Sequence, residues 1–524
     1  MEIRFGRRAR MSRLTPLASS LAIALAVGCG TSSAIEARTL ADRPVVSAMI
    51  DLHRQGNSSL KSNTWRKSVD RATLNIQHPL AVPRQPVPTG AIPVTNCNDD
   101  GAGSLRDIVD NVAVSGDTID LTNTGCSVIT LTTGDIVMDQ EDIDLVGPGF
   151  SSLSIDGNYL YSVRHIGTGT LGINDLAIVN GMKYIDSTTN FDAKGGCVYS
   201  YGSMSLVNAE VKYCNAVDAN ASYEAKGGAV YGRLGVTVSN SSVVLGKAGV
   251  EPDEGFGGGI YSPSQVILVD SFVSNSSAAL GGGVFAGDGF VSKYTSIRSN
   301  SGGYGGGVYA GGNTAIQNST IAGNSAVTGG GLWLSGAGAV TPITMTNSTV
   351  SGNEAQKFAG VITKYSTRIA NSTIAFNVEA NGADTKYGAG FYTLADSELQ
   401  SNIIAQNSLN HSTSGYISDD IAHADGVVLS GANNLARSVL IGSLAPADTI
   451  YADPLLNPLA GNGGSTSTHS LSVGSPAIDA GNNEGGFSVD QRGAGFPRVI
   501  GANADIGAVE FDPTDDTIFA NGFD

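Results

Sequence analysis

The chain has little of what most enzymes use for chemistry. Histidine occurs six times, scattered, and cysteine five times, with no Cys-x-x-Cys pair in 524 residues. This argues against a structural zinc site, which needs clustered nitrogen and sulfur ligands. There is no Gly-x-Ser-x-Gly elbow, phosphate-binding loop or His-Glu-x-x-His pair, so serine-hydrolase, nucleotide and zinc-protease chemistry lack their usual signatures. Positive charge is scarce: 30 Lys and Arg stand against 47 Asp and Glu, a net charge of −17. That argues against nucleic acid as a partner and leaves an acidic polysaccharide in need of bridging cations. Apart from a fifteen-residue run near the N-terminus, itself short for a membrane span, no apolar stretch approaches the roughly 18 residues such a span needs. Helical spacing is missing from the whole middle of the chain.

What is there is repetition. A Gly-Gly-x-hydrophobic-aromatic phrase reads GGCVY at 195–199, GGAVY at 227–231, GGGIY at 257–261, GGGVF at 281–285, GGGVY at 305–309 and GGGLW at 329–333, then fades to GAGFY at 388–392. The steps from Tyr261 to Phe285, Tyr309 and Trp333 are 24 residues each. A second phrase, Asn-Ser-Thr-hydrophobic-x-x-Asn, ends at Asn324, Asn353 and Asn377, with looser copies ending at Asn300 and Asn407. Between the phrases Thr, Val, Ile and Ser alternate with the period of a strand. A fixed period of about 24 residues holding three short strands and three turns is one coil of a parallel β-helix. Equivalent residues then stack about 4.8 Å apart: Asn amide on Asn amide, ring on ring, with the 69 glycines in the turns. The sequons at Asn318, Asn347 and Asn371 recur with the fold period and read as ladder residues rather than glycan acceptors.

The expected fold is all-β: a single-stranded right-handed parallel β-helix with an N-terminal helical cap and a β-rich C-terminal module. Residues 1–34 read as a signal peptide, with arginines before an apolar run from Leu14 to Gly28. Cleavage is open between a lipobox ending at Cys29, whose acylation would make a lipoprotein, and an ordinary site near Ser32-Ser33-Ala34. Either exports the protein. Residues 35–93 read as a linker or tether with one short helix near 44–54, 94–450 as the β-helix, 451–511 as the C-terminal module and 512–524 as a tail. Ser104 and Asp107 look like a capping box opening an amphipathic helix through Leu105, Ile108, Val109 and Val112, which would cover the open sheet edge. Cys97 and Cys126, 29 apart and so about one coil, are placed to bridge. Cys197 and Cys214, 17 apart, read as buried thiols.

Several of these segments carry a resemblance. CNDDGAGSLRDIVDNVAVSGDTIDL and the following CSVITLTTGDIVMDQEDIDLVGPG resemble the start of bacterial parallel β-helix surface proteins of the polymorphic outer-membrane type, as do the two repeated phrases. DPLLNPLAGNGGSTSTHSLSVGSPAIDAGN with VDQRGAGFPRVIGANADIGAVEF resembles the module called choice-of-anchor Q. DDTIFANGFD is similar to a C-terminal tail of exported proteins from Gram-negative bacteria. The resemblance implies a fold and a cell-surface, outer-membrane or extracellular location, reached through a lipid or the tail, and no established reaction. Nothing after 450 reads as repeated membrane strands.

Two function classes stay open: a non-enzymatic adhesin, structural or glycan-binding scaffold, and a polysaccharide lyase or glycoside hydrolase of the pectate-lyase-like β-helix type. The chain lacks the NTD, GHG and RIK segments of polygalacturonase-like sites, no catalytic residue is assigned, and the balance leans away from an enzyme. His411, Asp419, Asp420 and His423 read as a solvated loop. The better constellation is a set of inserts just before the glycine phrase. They bring Phe191, Asp192 and Lys194; Tyr223, Glu224 and Lys226; Asp253, Glu254 and Phe256; and Asp384, Lys386 and Tyr387. Sharing one place in the coil, they project from one edge. Acids beside aromatics suit sugar stacking or Ca²⁺, with a glycan or host-surface component as partner; solubilising loops are the plain alternative. No other cofactor is implied.

Overall fold

The computed structural model describes residues 87–185, 192–218, 224–249, 254–380, 387–411, 415–440 and 442–514. The signal segment with Cys29, the helix expected near 44–54 and the tail from 515 onward lie outside them. The described chain is a parallel β-helix in which successive coils stack strand on strand in three sheets. One coil shows the plan. Gln265–Val269 lies in the first sheet, Phe272–Ser274 and Ser277–Leu280 form two limbs of the second, and Val284–Ala286 lies in the third. Each pairs in parallel with its equivalent 24 residues on, as Val284 with Val308 and Phe272 with Ser296. Alternate side chains of every strand point inward, so Val266, Leu268, Val273 and Val284 are fully buried in one continuous core. Leaving these apolar faces in water would cost about 1.5–3 kcal/mol each.

The repeated phrases sit where their chemistry is needed. The first glycine of each opens a tight turn in the left-handed region, as Gly281 does at φ 63°, which glycine adopts without strain. At the next position, a Cβ on Gly282 would run into the carbonyls of Ser301 and Gly306. Tyr199, Tyr231, Tyr261, Phe285, Tyr309 and Trp333 stack on the outer face of the third sheet with centroids 5.0–6.4 Å apart. The stack ends because Ile362 takes the next rung and Tyr392 the one beyond. Inside the coil, each Asn Nδ2 donates to the next Asn Oδ1, from Asn300 to Asn324 (3.0 Å), Asn353 (2.9 Å), Asn377 (2.8 Å) and Asn407 (2.8 Å).

The N-terminal end is closed by α1, Leu105–Asn111. Ser104 Oγ accepts from the Asp107 N–H at 3.1 Å, and Asp107 in turn accepts from the Gly103 N–H at 2.8 Å. Leu105, Ile108 and Val109 turn into the core. Asp99 fastens the cap to the first coil: it pairs with Arg106 at 2.7 Å and accepts from both hydroxyls and both N–H groups of Thr132 and Thr133. Cys97 and Cys126 form a disulfide. Cys197 and Cys214 also form one, which corrects the reading of buried free thiols. Cys214 stands in the slot that Asn fills in later coils. Both residues are fully buried, Cys197 in the turn that leads into Val198–Ser200 and Cys214 within Glu210–Asp218, so residues 17 apart meet inside one coil with Cα atoms 5.3 Å apart.

From about 452 the chain turns back and runs along the flank of the solenoid rather than over its end. This segment is held by turns and antiparallel bridges, Leu456 with Leu471, Ala460 with Thr468 and Val489 with Pro497. The sequon residues meet it, and their reading as ladder residues needs correction. Asn318, Asn347 and Asn371 adopt left-handed turns at φ 50°, 43° and 46° and are buried. Their side-chain amides donate to backbone carbonyls of Asp490, Val489 and Asn482 at 2.8, 3.1 and 3.1 Å. The following serines make the ladder: the N–H of Ser319 donates to Ser348 Oγ and that of Ser348 to Ser372 Oγ, both at 3.2 Å. The threonines face the returning chain. Gln491 bridges Thr349 (2.6 Å) and Thr320 (2.9 Å), and Thr373 Oγ1 accepts from the Ala508 N–H at 3.0 Å.

Candidate functional site

The inserts re-enter the solenoid through one parallel row, Lys194 beside Lys226, Lys226 beside Phe256 and Phe256 beside Leu280. The alanines before the lysines, Ala193 and Ala225, are buried in a small satellite core. On this footing Lys226 Nζ lies 3.0 Å from Asp192 and 2.9 Å from Glu224, and Lys194 Nζ lies 3.4 Å from Asp192. Burial alone would pull the Lys226 ammonium down, but Glu224 and Asp192 outweigh it and its pKa rises. Burial pushes the Asp192 carboxyl up, and Lys226 with Lys194 more than reverse that, so it falls. Asp192 and Glu224 are therefore engaged by lysines. Lys226 also lies 5.7 Å above the Phe256 ring, and Lys194 5.7 Å above that of Tyr231.

The aromatic half of the constellation divides. Phe256, read as an exposed ring, is only 3% exposed and packs edge-on against Tyr261 and Phe285. That reading is corrected: the phenyl ring fills the corner where the insert rejoins the ladder. Tyr387 is half-buried, edge-on to Phe358 at 5.7 Å, with Lys357 Nζ 4.9 Å from its ring. Glu254 stands partly exposed at the same edge, its carbonyl accepting from the Ala279 N–H. Phe191, Tyr223, Asp253, Asp384 and Lys386 lie outside the described residues. Among the described residues no group of three or more His, Cys, Asp or Glu is placed to hold a metal ion.

Asp419 and Asp420, expected in a solvated loop, are interior, which corrects that reading. Asp420 ends the Asn ladder, accepting from Asn407 Nδ2 at 3.1 Å and from the N–H groups of Arg437 and Ser438. Its neighbour Asp419 accepts from the N–H groups of Gly388 and Ala389. Glu379, fully buried, accepts from the N–H groups of Phe358 and Tyr387 at 2.7 and 3.0 Å. Burial, and then the Asp419 carboxylate beside it, push the Glu379 pKa up to about 9. The two carboxyls anchor the chain where the 381–386 insert rejoins the coil. His423 bonds the Ala424 carbonyl and the Leu444 N–H, so it too serves a turn.

The first sheet carries a feature that residue types alone do not flag. Its central outward positions form one unbroken row: Gly172, Ser205, Thr237, Ile267, Val291, Ala315, Thr344, Arg368, Glu398 and Ser430. Over the later coils this row floors an open groove of about 700 Å³. One wall is the 335–342 loop, whose Val340 N–H donates to the side chain of Asn313 on the groove margin. Toward its last coils the groove carries charge: Arg368 lies 3.4 Å from Glu398 and 3.8 Å from Glu484 of the returning chain. Asp396, which accepts from the Val428 N–H, adds a further carboxylate, and the rest of the lining is hydroxyl, amide and small apolar groups, well suited to the mixed surface of a sugar chain. A signal for the row is present in the sequence: positions 267, 291 and 315 step by 24, in phase with the ladders. Small neutral residues do not stand out as a motif, so the row escapes a search for charged and aromatic groups.

No protein-family model matches the chain, and no curated protein does. Among solved structures it is similar to the crystal structure of pectate lyase Pel9A, at 13% identity and a TM-score of 0.38, over 80% of this chain and 97% of that one.

Proposed function

We propose that this protein is an exported, surface-presented β-helix scaffold that binds an extended glycan along the groove of its first sheet. The observation that carries the reading is the unbroken outward row leading into an open groove of about 700 Å³, of mixed polar and apolar lining, that carries Arg368 and Glu398. A parallel β-helix repeats one chemistry every coil, which matches the repeat of a polymer better than the single centre an enzyme needs. Lyase chemistry on uronates calls for a carboxylate cluster holding Ca²⁺ beside a free base, and Arg368 is instead paired with two glutamates. With a net charge of −17, the preferred partner is a neutral glycan or a host-surface component displaying one. The insert edge is a secondary contact, with Asp192, Glu224 and Asp384 as its acids. Export by the N-terminal segment, attachment through Cys29 or the tail, the polymorphic outer-membrane likeness and the choice-of-anchor Q likeness of 451–511 belong to the same proposal. The two disulfides accord with an oxidising compartment.

The test is binding and turnover on one panel of neutral and uronate polysaccharides. Retention without new reducing ends or unsaturated products, weakened at least tenfold by Thr344→Trp, is the expected result. Turnover on any member would replace the scaffold reading with the lyase or hydrolase one. Binding that Thr344→Trp leaves intact would move the site off the first sheet.

A further inference from the structure

The returning chain builds a second concavity, of about 590 Å³, against the second sheet rather than the first. Its floor is a corner row of that sheet, where successive coils place one left-handed residue each: Ser299, Gly323, Gly352, Phe376 and Gln406. The two glycines leave a gap two coils long, since a Cβ on either would meet nothing within 4 Å. Phe376 closes one end of the gap and packs at 4.9 Å against the buried ring of His469. Leu456, Pro458 and Leu459 of the returning chain form the apolar wall. Arg298 stands at the other end, its guanidinium 4.7 Å from the Phe272 ring. His469 is fixed by Ser351 at 2.8 Å and by the Asn457 carbonyl at 2.7 Å, so the wall is rigidly held.

We propose that this notch is the docking site for residues 515–524 of the same chain. The segment reads DDTIFANGFD, with Ile518, Phe519 and Phe523 to fill an apolar notch and Asp515, Asp516 and Asp524 to face Arg298. It departs from the right place. Arg492 holds the Glu510 carbonyl at 2.8 Å, Gln491 reaches the Ser467 carbonyl at 3.3 Å, and His469 two residues on lines the notch. Ten extended residues span about 33 Å, more than this short chain of contacts requires. Seating one phenyl ring buries enough apolar surface to favour the docked state, and a desolvated guanidinium adds charge selectivity. The tail is thereby bound against the body of the protein, and any machinery that reads it must first draw it out.

Photo-crosslinking in the full chain tests this. A benzoylphenylalanine at position 459 should crosslink to peptides containing 515–524, within one chain. Phe376→Asn, which keeps a residue at ease in the left-handed turn, should cut that yield at least tenfold with the melting temperature nearly unchanged. A second measurement removes dependence on the crosslinker. In a full chain carrying Phe519→Ser and Phe523→Ser, an added labelled peptide of residues 512–524 should bind, and Phe376→Asn or Arg298→Gln should weaken it at least tenfold. Crosslinks that go only to neighbouring coils or to a second molecule, or peptide binding indifferent to Phe376→Asn, would overturn the proposal.

Discussion

Two buried charge sets decide most at the scale of single residues. Arg498 is 1% exposed, bonded to the carbonyls of Gly507 and Asp505 and to Glu510 at 2.9 Å. Burial pushes Glu510 up to about 7, with Arg498 pulling it down and Asp505 pushing it further up. Removing one partner of a buried pair leaves the other uncompensated. Arg498→Ala should therefore cost about 3–5 kcal/mol of stability in chemical denaturation, while Arg498→Lys, whose single nitrogen replaces two guanidinium nitrogens that reach separate acceptors, should recover little. The other set is Glu379 with Asp419. Glu379 keeps its proton when folded up to about pH 9, but loses it near 4.5 when unfolded. The folded state thus binds the extra proton between those values, so stability falls as pH rises through that window. Melting temperatures measured from pH 5 to 10 should drop more for the native chain than for Glu379→Gln, which carries no titrating proton. Parallel curves would mean that Glu379 is not the group responsible.

The strands and their ladders are the most legible part of the chain. Tyr261, Phe285, Tyr309 and Trp333 recur at a fixed step, and a fixed step is what in-register parallel stacking demands, so spacing alone assigns the aromatic and Asn phrases their places in the coil. The Cys197–Cys214 bridge is not legible in that way. Sequence spacing reports which coil a residue occupies, while this bridge crosses the interior within one coil, where only the inward direction of both side chains matters. Phe256 fails as an exposed ring for a related reason: an insert must rejoin the ladder, and its last residues belong to the packing. The Asn ladder also carries a quantitative expectation. Asn353 accepts from the N–H and Nδ2 of Asn324 and donates to Asn377 and the Ile321 carbonyl, all inside the core. Asn353→Ala strands buried partners on both neighbouring coils and should cost about 3 kcal/mol, well above a surface change. Urea unfolding would read this directly, and a loss under about 1 kcal/mol would show that water replaces the missing amide.

At the scale of the whole molecule, the chain folds back on itself, and the repeats determine where. The sequence marks a distinct segment after 450 but not its position, because the docking contacts are made by residues that also look like plain repeat positions. Every Asn-Ser-Thr phrase divides its labour: Asn and Thr meet the returning chain while Ser joins the ladder. Asn208 and Asn240 occupy the equivalent left-handed turns in earlier coils, at φ 50° and 47°, beyond the reach of these contacts. They supply the control for a final prediction. Replacing Asn318, Asn347 and Asn371 together by alanine removes three amide donors and strains three left-handed turns, each change costing about 1–2 kcal/mol. Asn208→Ala with Asn240→Ala strains turns without touching the returning chain. Limited proteolysis should then cut the triple variant between 440 and 460 well before the native protein, leaving a resistant solenoid, while the double variant should resist like the native chain. Equal resistance in the triple variant would mean that the threonines, with Gln491 and Ala508, suffice to hold the flank, and that the Asn of the phrase serves the turn alone.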